Sequence, residues 1–148
     1  IEFFERALKF DPGVAKAVIS SVGIYDMLRV ELSANGEFNI TEFGTVKDKS
    51  QFDALLGYSP YHHVKANVKY PAVLFMTGAN DPRVDPMQSR KMTALMQARQ
   101  SGVVGAGAVL LRTSANSGHG AGTALSEQIE QRVDQFAFLF SELGVEAR

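Results

Sequence analysis

A histidine flanked by glycines is the part of this sequence best suited to chemistry. His119 lies in Ser114–Thr123, between an apolar strand-like run and a long amphipathic segment. An imidazole on a loop between a strand end and a helix start can reach a reacting group and move its proton. Gly118, Gly120 and Gly122 are predicted to adopt positive φ and to leave the ring uncrowded. Taken alone, the motif fits a surface loop that contains a histidine equally well.

A carboxylate upstream could serve as the partner of this histidine. The run Val73–Met76 is typical of a buried parallel strand, and Asp81 follows in the next loop. Open α/β sheets place their active sites at this carboxyl edge. An acid and a histidine after successive strands are two thirds of a Ser-His-Asp arrangement, in which the acid orients the imidazole. The order of Asp81 before His119 in the chain also fits α/β-hydrolases, in which the nucleophile comes first, the acid second and the histidine last.

Longer stretches around these residues resemble a known family. The segments YPAVLFMTGANDPRVDPMQSRKM, LLRTSANSGHGAGT and FAFLFSELG resemble the C-terminal part of the prolyl oligopeptidase family of serine peptidases. The segments KAVISSVGIYDML, EFGTVKD and YSPYHHV extend the resemblance over nearly the whole chain. The resemblance implies that Asp81 is the catalytic acid and His119 the general base. It also implies that Arg83 is a cation that contacts the substrate near the acid.

The nucleophilic serine of the family lies on a glycine-rich elbow that this sequence lacks. No Gly-x-Ser-x-Gly occurs: Ser21–Gly23 has the trailing half, but Ile19 stands where the leading glycine should be. In the family the elbow precedes the segment matched by Asp11–Ala17, so it would fall just before Ile1. We therefore expect residues 1–148 to be the C-terminal portion of an α/β-hydrolase catalytic domain without its nucleophile.

The resemblance also implies where substrate is contacted. In the best-known members a tryptophan stacks on the substrate proline, and the matching position here is Asn39 or its neighbour Phe38. Because the chain has no tryptophan, strict proline specificity does not follow. Phe38 and Phe43 could line a pocket, but aromatic residues near a core are more often packed in it, so we expect both to be buried.

The rest of the sequence supplies elements that would position these residues. We predict an α/β fold, a partial α/β-hydrolase with about three parallel strands and flanking helices. The predicted strands are Ala17–Val22, Val73–Met76 and Ala108–Arg112. The predicted helices are Ile1–Phe10, Ile24–Leu32, Ser50–Leu56 with Ser50 as N-cap, Pro86–Gln100 and Ala124–Leu143, and residues 37–49 are expected to be irregular with short helical pieces. The apolar side of the last helix includes Leu125, Ile129, Val133, Phe136, Phe140 and Leu143.

Two further motifs do not predict a ligand. His62 and His63 have no cysteine or carboxylate cluster nearby, so we predict no metal and expect polar loop residues, one of them hydrogen-bonded. The glycine-rich run Gly102–Gly107 precedes a strand, whereas a dinucleotide loop links a strand to a helix. No cofactor is predicted.

Composition narrows the function classes. With 45% hydrophobic and 21% charged residues, the 148-residue chain has the usage of one globular domain. A net charge of −1 gives no electrostatic case for nucleic acid or an anionic membrane. No apolar run approaches the roughly 20 residues that span a bilayer, and the start does not resemble a signal sequence. We expect a soluble protein, and both cytoplasm and periplasm stay open.

The preferred function is hydrolysis of peptide substrates by the full-length parent. This portion is expected to be inactive alone, because the acid–base pair has no nucleophile to activate. Two alternatives stay open: an acyl esterase of the same fold, since triad chemistry does not select the acyl group, and a non-catalytic self-associating module. The strand Ala17–Val22 would normally pair with the missing half. We therefore expect a homo-oligomer through this open sheet edge or through exchange of the Ile1–Phe10 helix.

Overall fold

A parallel sheet of three strands is the framework of the molecule. The computed structural model describes residues 15–120 and 122–146. Within them the strands β1 (Ala17–Ser21), β2 (Ala72–Gly78) and β3 (Val109–Ser114) pair in parallel in the order β1-β2-β3. All three strands were predicted, with ends that differ by at most two residues. The predicted helix Ile1–Phe10 lies outside the described residues.

Helices connect and cover these strands. In the described part of the chain they are α1 (Gly36–Phe43), α2 (Lys49–Tyr58), α3 (Pro60–His63), α4 (Met87–Arg99) and α5 (Leu125–Leu143). The predicted ends of α4 and α5 are correct to within one residue. Pro86 is the N-cap of α4, and Gly144 ends α5 in the left-handed conformation, with φ of 71°.

The core lies on both faces of β2, which is buried along its whole length. Its side chains alternate between two apolar layers, as a central parallel strand requires. On one face Val73 and Phe75 pack in a cluster with Met92 and Met96 of α4. On the other face Leu74 and Met76 pack with Phe138 of α5. The sheet is therefore enclosed between α4 and α5, and both of its outer strands are edges within the described residues.

The helix predicted over Ile24–Leu32 is wrong. Only Val30–Leu32 forms helical structure, a single turn of 3-10 helix. The backbone amides of Tyr25 and Asp26 donate instead to the side-chain oxygen of Gln88 on α4. Because another element satisfies these amides, they do not enter an α-helical ladder.

Residues 37–49 were predicted to be irregular with short helical pieces, and all but the first residue of the eight-residue helix α1 lies within them. This helix ends at Gly44, which has φ of 96°. The predicted N-cap Ser50 is also wrong, because the cap of α2 is Asp48. Its Oδ1 accepts hydrogen bonds from the backbone amides of Ser50 (2.9 Å) and Gln51 (3.0 Å).

The paired histidines lie on α3 and not in a loop. Both are hydrogen-bonded, whereas only one was expected to be: His62 Nδ1 bonds to Ser59 Oγ (2.8 Å), and His63 Nε2 bonds to Leu56 O (3.0 Å). Within residues 15–120 and 122–146, no three His, Cys, Asp or Glu side chains are grouped as they would be to hold a metal ion. Across the same residues, no helix combines the length and apolar content that crossing a bilayer requires.

The apolar side of α5 faces away from the sheet. Six large apolar residues on the helix are 43% to 71% exposed, and together they are called the outer stripe: Leu125, Ile129, Val133, Phe136, Phe140 and Leu143. Phe138, which packs on the sheet, lies about half a helical turn from Phe136 and Phe140. A surface helix normally carries polar residues on such a face. The outer stripe is therefore an uncovered apolar surface of the described structure.

Candidate active site

The loops that follow β2 and β3 leave the same edge of the sheet and are bonded to each other. Three hydrogen bonds join them: Ala79 N to Ser114 O (2.9 Å), Asn80 N to Ser117 O (3.2 Å) and Asn80 Nδ2 to Ala115 O (2.9 Å). The first loop continues directly into Asp81, and the second continues into His119. The backbone of the two loops therefore fixes these side chains relative to each other.

Glycine allows this close approach of the two loops. A Cβ atom added at Gly78, the last residue of β2, would lie 2.3 Å from the carbonyl oxygens of Ser117 and Gly118, which is too close for any other residue. Gly120 and Gly122 adopt the predicted positive φ, at 107° and 78°. The same prediction is wrong for Gly118, whose φ is not positive. The sequence marked Gly78 only as a strand end, so its role in joining the loops was missed.

Asp81 and His119 lie within hydrogen-bonding distance, and this prediction is confirmed. His119 Nδ1 is 2.8 Å from Asp81 Oδ2. The Asp81 side chain is 0% exposed, whereas that of His119 is 31% exposed. Asp81 Oδ1 accepts hydrogen bonds from the backbone amides of Arg83 (2.8 Å) and Val84 (3.0 Å). A buried carboxylate with both oxygens occupied is held in one orientation, and Nε2 of the imidazole is left for proton exchange with a reacting group.

A cavity of about 130 Å³ opens beside His119. Its walls are the carboxyl ends of the three strands, the glycine loop that carries the histidine, and Gln131 and Gln135 of α5. Active sites are commonly concave pockets in which a few polar or titratable groups converge. The cavity therefore gives a second group room to approach the imidazole.

Arg112 joins β3 to α5 next to this edge. Its guanidinium donates to Asp134 Oδ2 (2.5 Å), to Glu127 Oε1 (2.8 Å) and to Ser114 Oγ. Burial lowers the pKa of Arg112, but the hydrogen bonds to Asp134 and Glu127 outweigh it and the net shift is upward. Hydrogen bonds from Ser114 and Arg112 lower the pKa of Glu127. The network anchors the strand end from which the His119 loop starts. An arginine within an apolar strand was the only sequence signal for it.

Arg83 contacts the site through its backbone amide, which donates to Asp81. Its amide holds Asp81, while its side chain is exposed and forms no hydrogen bond or ion pair within residues 15–120 and 122–146. A free cation two residues after the acid is available to a ligand, and its contact with substrate stays a prediction.

The other two predicted substrate contacts, Phe38 and Asn39, lie much earlier in the chain, on α1. Neither Phe38 nor Asn39 hydrogen-bonds to Asp81 or His119. Phe38 is 78% exposed, so its predicted burial is wrong. Phe43 is partly buried and packs against a small cluster centred on Met27, Val30 and Leu55. The amide nitrogen of Asn39 is buried and has no hydrogen-bond partner in the described structure.

Comparison with known proteins identifies the family. The model of the prolyl oligopeptidase family matches residues 6–146. The chain belongs to the prolyl oligopeptidase family. Prolyl endopeptidase from Elizabethkingia meningoseptica is 35% identical over 137 residues, which are 92% of this chain and 19% of that protein. Prolyl endopeptidase from Dictyostelium discoideum is 36% identical over 135 residues, 90% of this chain and 18% of that protein. The chain thus spans about a fifth of the length of these relatives.

Solved structures of this family share the fold. A prolyl endopeptidase structure superposes with a TM-score of 0.83 and 38% identity, covering 94% of this chain and 20% of its own. Prolyl oligopeptidase B from Galerina marginata superposes with a TM-score of 0.85 and 26% identity, covering 96% of this chain and 20% of its own. The three parallel strands and their helices are therefore part of an α/β-hydrolase fold, and the predicted fold class and family are confirmed.

Proposed function

We propose that this chain supplies the acid, Asp81, and the general base, His119, of a Ser-His-Asp triad in a serine peptidase. The observation that carries the proposal is the 2.8 Å hydrogen bond from the buried carboxylate to Nδ1 of a partly exposed imidazole. The bond lies at the carboxyl edge of a parallel sheet, where α/β folds place their sites. Family membership supports peptide bonds as the substrate.

Substituted forms of a relative support the same pairing. Prolyl oligopeptidase B from Galerina marginata has been solved with bound macrocyclization substrates in three variants, in which one serine, one aspartate or one histidine is replaced by alanine. That aspartate and that histidine are separated by nearly the same number of residues as Asp81 and His119. We infer that the two pairs correspond.

The proposed triad needs a serine nucleophile, and we propose that this serine lies outside residues 1–148. In the same relative the serine precedes the aspartate by slightly more residues than precede Asp81 here. We therefore propose that the reacting serine lies upstream of Ile1 in a longer polypeptide, and that its hydroxyl enters the cavity beside His119. On this account residues 1–148 are the C-terminal portion of the catalytic domain and are inactive alone.

The proposed reaction uses the two nitrogens of His119 differently. Nδ1–H donates to Asp81 and keeps the ring in one tautomer, while Nε2 takes the serine proton as the serine oxygen attacks the scissile carbonyl. The imidazolium then gives this proton to the leaving amine as the C–N bond breaks. Water, deprotonated by the same nitrogen, hydrolyses the acyl-enzyme and restores the serine. Asp81 stabilises the imidazolium at both stages.

We propose that Arg83, Asn39 and Phe38 bind the peptide. Arg83 offers an unpaired guanidinium to a peptide carbonyl or carboxylate, since it donates up to five hydrogen bonds. Asn39 and Phe38 are proposed to contact the residue next to the scissile bond. Because neither position carries a tryptophan that could stack on proline, strict proline specificity does not follow.

Kinetics of the full-length protein test the proposal. Asp81→Asn should lower kcat by about 10⁴, because the imidazole is then held in the wrong tautomer. The matched control is Asp85→Asn, an exposed aspartate four residues away that only accepts from the amide of Met87, and it should leave kcat unchanged. Prolyl amides and simple esters should be assayed side by side, and turnover of esters alone would favour the esterase alternative. Full activity of Asp81→Asn on every substrate would contradict the triad.

Self-association of the isolated chain is a second candidate role. The outer stripe of α5 favours it, because six large apolar side chains are uncovered on one helix. The outer edge of β1, which is unpaired within residues 15–120 and 122–146, also favours it, because unpaired strand edges can recruit another chain. Exchange of the Ile1–Phe10 segment between copies stays a proposal outside the described residues.

A further inference from the structure

A partly buried ion pair joins residues 22–29, the segment after β1, to α4. The Asp26 side chain is 3% exposed and forms a salt bridge with Lys91 of α4. The other oxygen of Asp26 accepts from the amide of Leu28 (3.1 Å) and lies 3.9 Å from Nδ1 of His62 on α3. Lys91 also lies over the ring of Tyr61, 4.2 Å from its centroid. The carboxylate therefore lies where the segment, α3 and α4 meet.

A glutamine joins the same segment to α4 through its backbone. Gln88 is 5% exposed, and its Oε1 accepts from the amides of Tyr25 (3.0 Å) and Asp26 (2.7 Å). Its Nε2 donates to the carbonyl of Asp26 (3.4 Å). One side chain of α4 thus replaces the hydrogen bonds that the segment would have made as a helix. Asp26, His62, Gln88 and Lys91 together are called the Asp26 cluster.

The opposite side of the segment is bonded to the chain around α3. The amide of Met27 donates to Ser59 Oγ (3.1 Å), and the amide of Tyr61 donates to the carbonyl of Tyr25 (2.9 Å). Ser59 Oγ is in turn bonded to Nδ1 of His62 (2.8 Å). The segment is consequently fixed on two sides before it enters α1.

Stability alone does not account for this arrangement. The Asp26 carboxylate of this pair is buried and therefore costly to desolvate, and replacing a buried ion pair with apolar residues is often neutral for stability. What the charges provide is one defined orientation of the segment. That segment leads into α1 with Asn39 and Phe38, while α4 starts directly after the Asp81 loop.

We propose that the Asp26 cluster is a positioning device that sets α1, which carries the proposed substrate contacts, relative to α4, which begins after the Asp81 loop. The inference rests on the proposed function. The inference predicts an effect on binding but not on the chemical step. Asp81 and His119 are fixed by the bonds between their own loops and not by the Asp26 cluster. Loss of Lys91 should therefore weaken peptide binding and leave the chemistry of the pair intact.

The experiment uses the full-length protein and separates binding from chemistry. Lys91→Met should raise KM for a peptide substrate about tenfold and change kcat by less than about twofold. Lys91→Arg, which keeps the charge, should restore most of the binding. The rate of labelling by a fluorophosphonate, which needs the triad but no peptide contacts, should stay within about twofold of wild type. The matched control is Lys49→Met, which removes the exposed Lys49–Asp53 pair and should change none of these values.

A second variant covers the case in which Lys91→Met leaves Asp26 buried without a partner and fails to fold. Asp26→Asn with Lys91→Met removes both charges and should show the same rise in KM. An unchanged KM in either folded variant would overturn the inference, as would labelling that falls in parallel with peptide turnover. Absence of labelling in the wild-type protein would instead refute the proposed function.

Discussion

The carboxyl edge of the sheet and the outer face of α5 differ in how far the chain completes them. At the carboxyl edge both oxygens of Asp81 are hydrogen-bonded, and three hydrogen bonds, two of them between backbone groups, join the two loops. On the outer face of α5, six large apolar side chains face solvent. The acid–histidine pair is thus built from contacts within the chain, whereas the outer face of α5 has no cover among residues 15–120 and 122–146.

The two regions therefore depend on different contacts. The pair depends on loops that follow neighbouring parallel strands, and such loops must meet at one edge. The outer stripe has no partner in residues 15–120 and 122–146, so this part of the chain does not bury it. We expect substitutions at the edge to act on folding of the chain itself, and substitutions on the stripe to act on association.

The largest effect is expected where the two loops touch. Gly78→Ala places a Cβ 2.3 Å from two carbonyl oxygens and should reduce the free energy of unfolding by about 3 kcal/mol, measured by urea unfolding. Gly57→Ala is the matched control, because its Cβ meets no atom within 4 Å and α2 is helical there. This control should gain about 0.5 to 1 kcal/mol. Equal stability of Gly78→Ala and wild type would mean that the loops do not need this contact.

A smaller effect is expected on the outer stripe, and it concerns association. The isolated chain should self-associate, and Phe136→Glu should weaken association by about 2 kcal/mol because a large apolar side chain is no longer buried between copies. Light scattering over a dilution series measures this. Ser141→Glu adds the same charge beside the stripe and should leave association unchanged. A wild-type chain that stays monomeric at micromolar concentration would contradict the role of the stripe.

The smallest effect concerns the inner side of α5 and depends on pH. The pKa of Glu127 is lowered in the folded protein, so its contribution to stability is fully present above its ordinary pKa of 4.5 and is lost as pH falls through the folded pKa. Glu127→Gln should therefore be less stable than wild type near neutral pH, and the two should converge in acid. Thermal unfolding at several pH values measures the difference. A gap that persists in strong acid would show that the carboxylate charge is not its origin.

The parts that could be predicted from sequence are those set by local pattern. Short apolar runs predicted the three strands. The positions of the acid and the histidine after successive strands predicted that the two side chains meet at the carboxyl edge of the sheet. The segment after β1 could not be predicted, because its amides bond to Gln88, which lies 63 positions away from Tyr25. Helical periodicity found the apolar side of α5 but could not tell which side faces the sheet. The Asp48 cap of α2 was missed because Ser50, two residues later, is an equally good capping residue by type.

Labelling with a fluorophosphonate, followed by peptide mapping, tests the central claim most directly. The account predicts that the isolated 148-residue chain takes up no label, because His119 has no serine to activate. It predicts that the full-length protein is labelled on one serine upstream of Ile1 and that His119→Ala abolishes this labelling. Stoichiometric label on any serine of the isolated chain, or labelling of the full-length protein that survives His119→Ala, would contradict it.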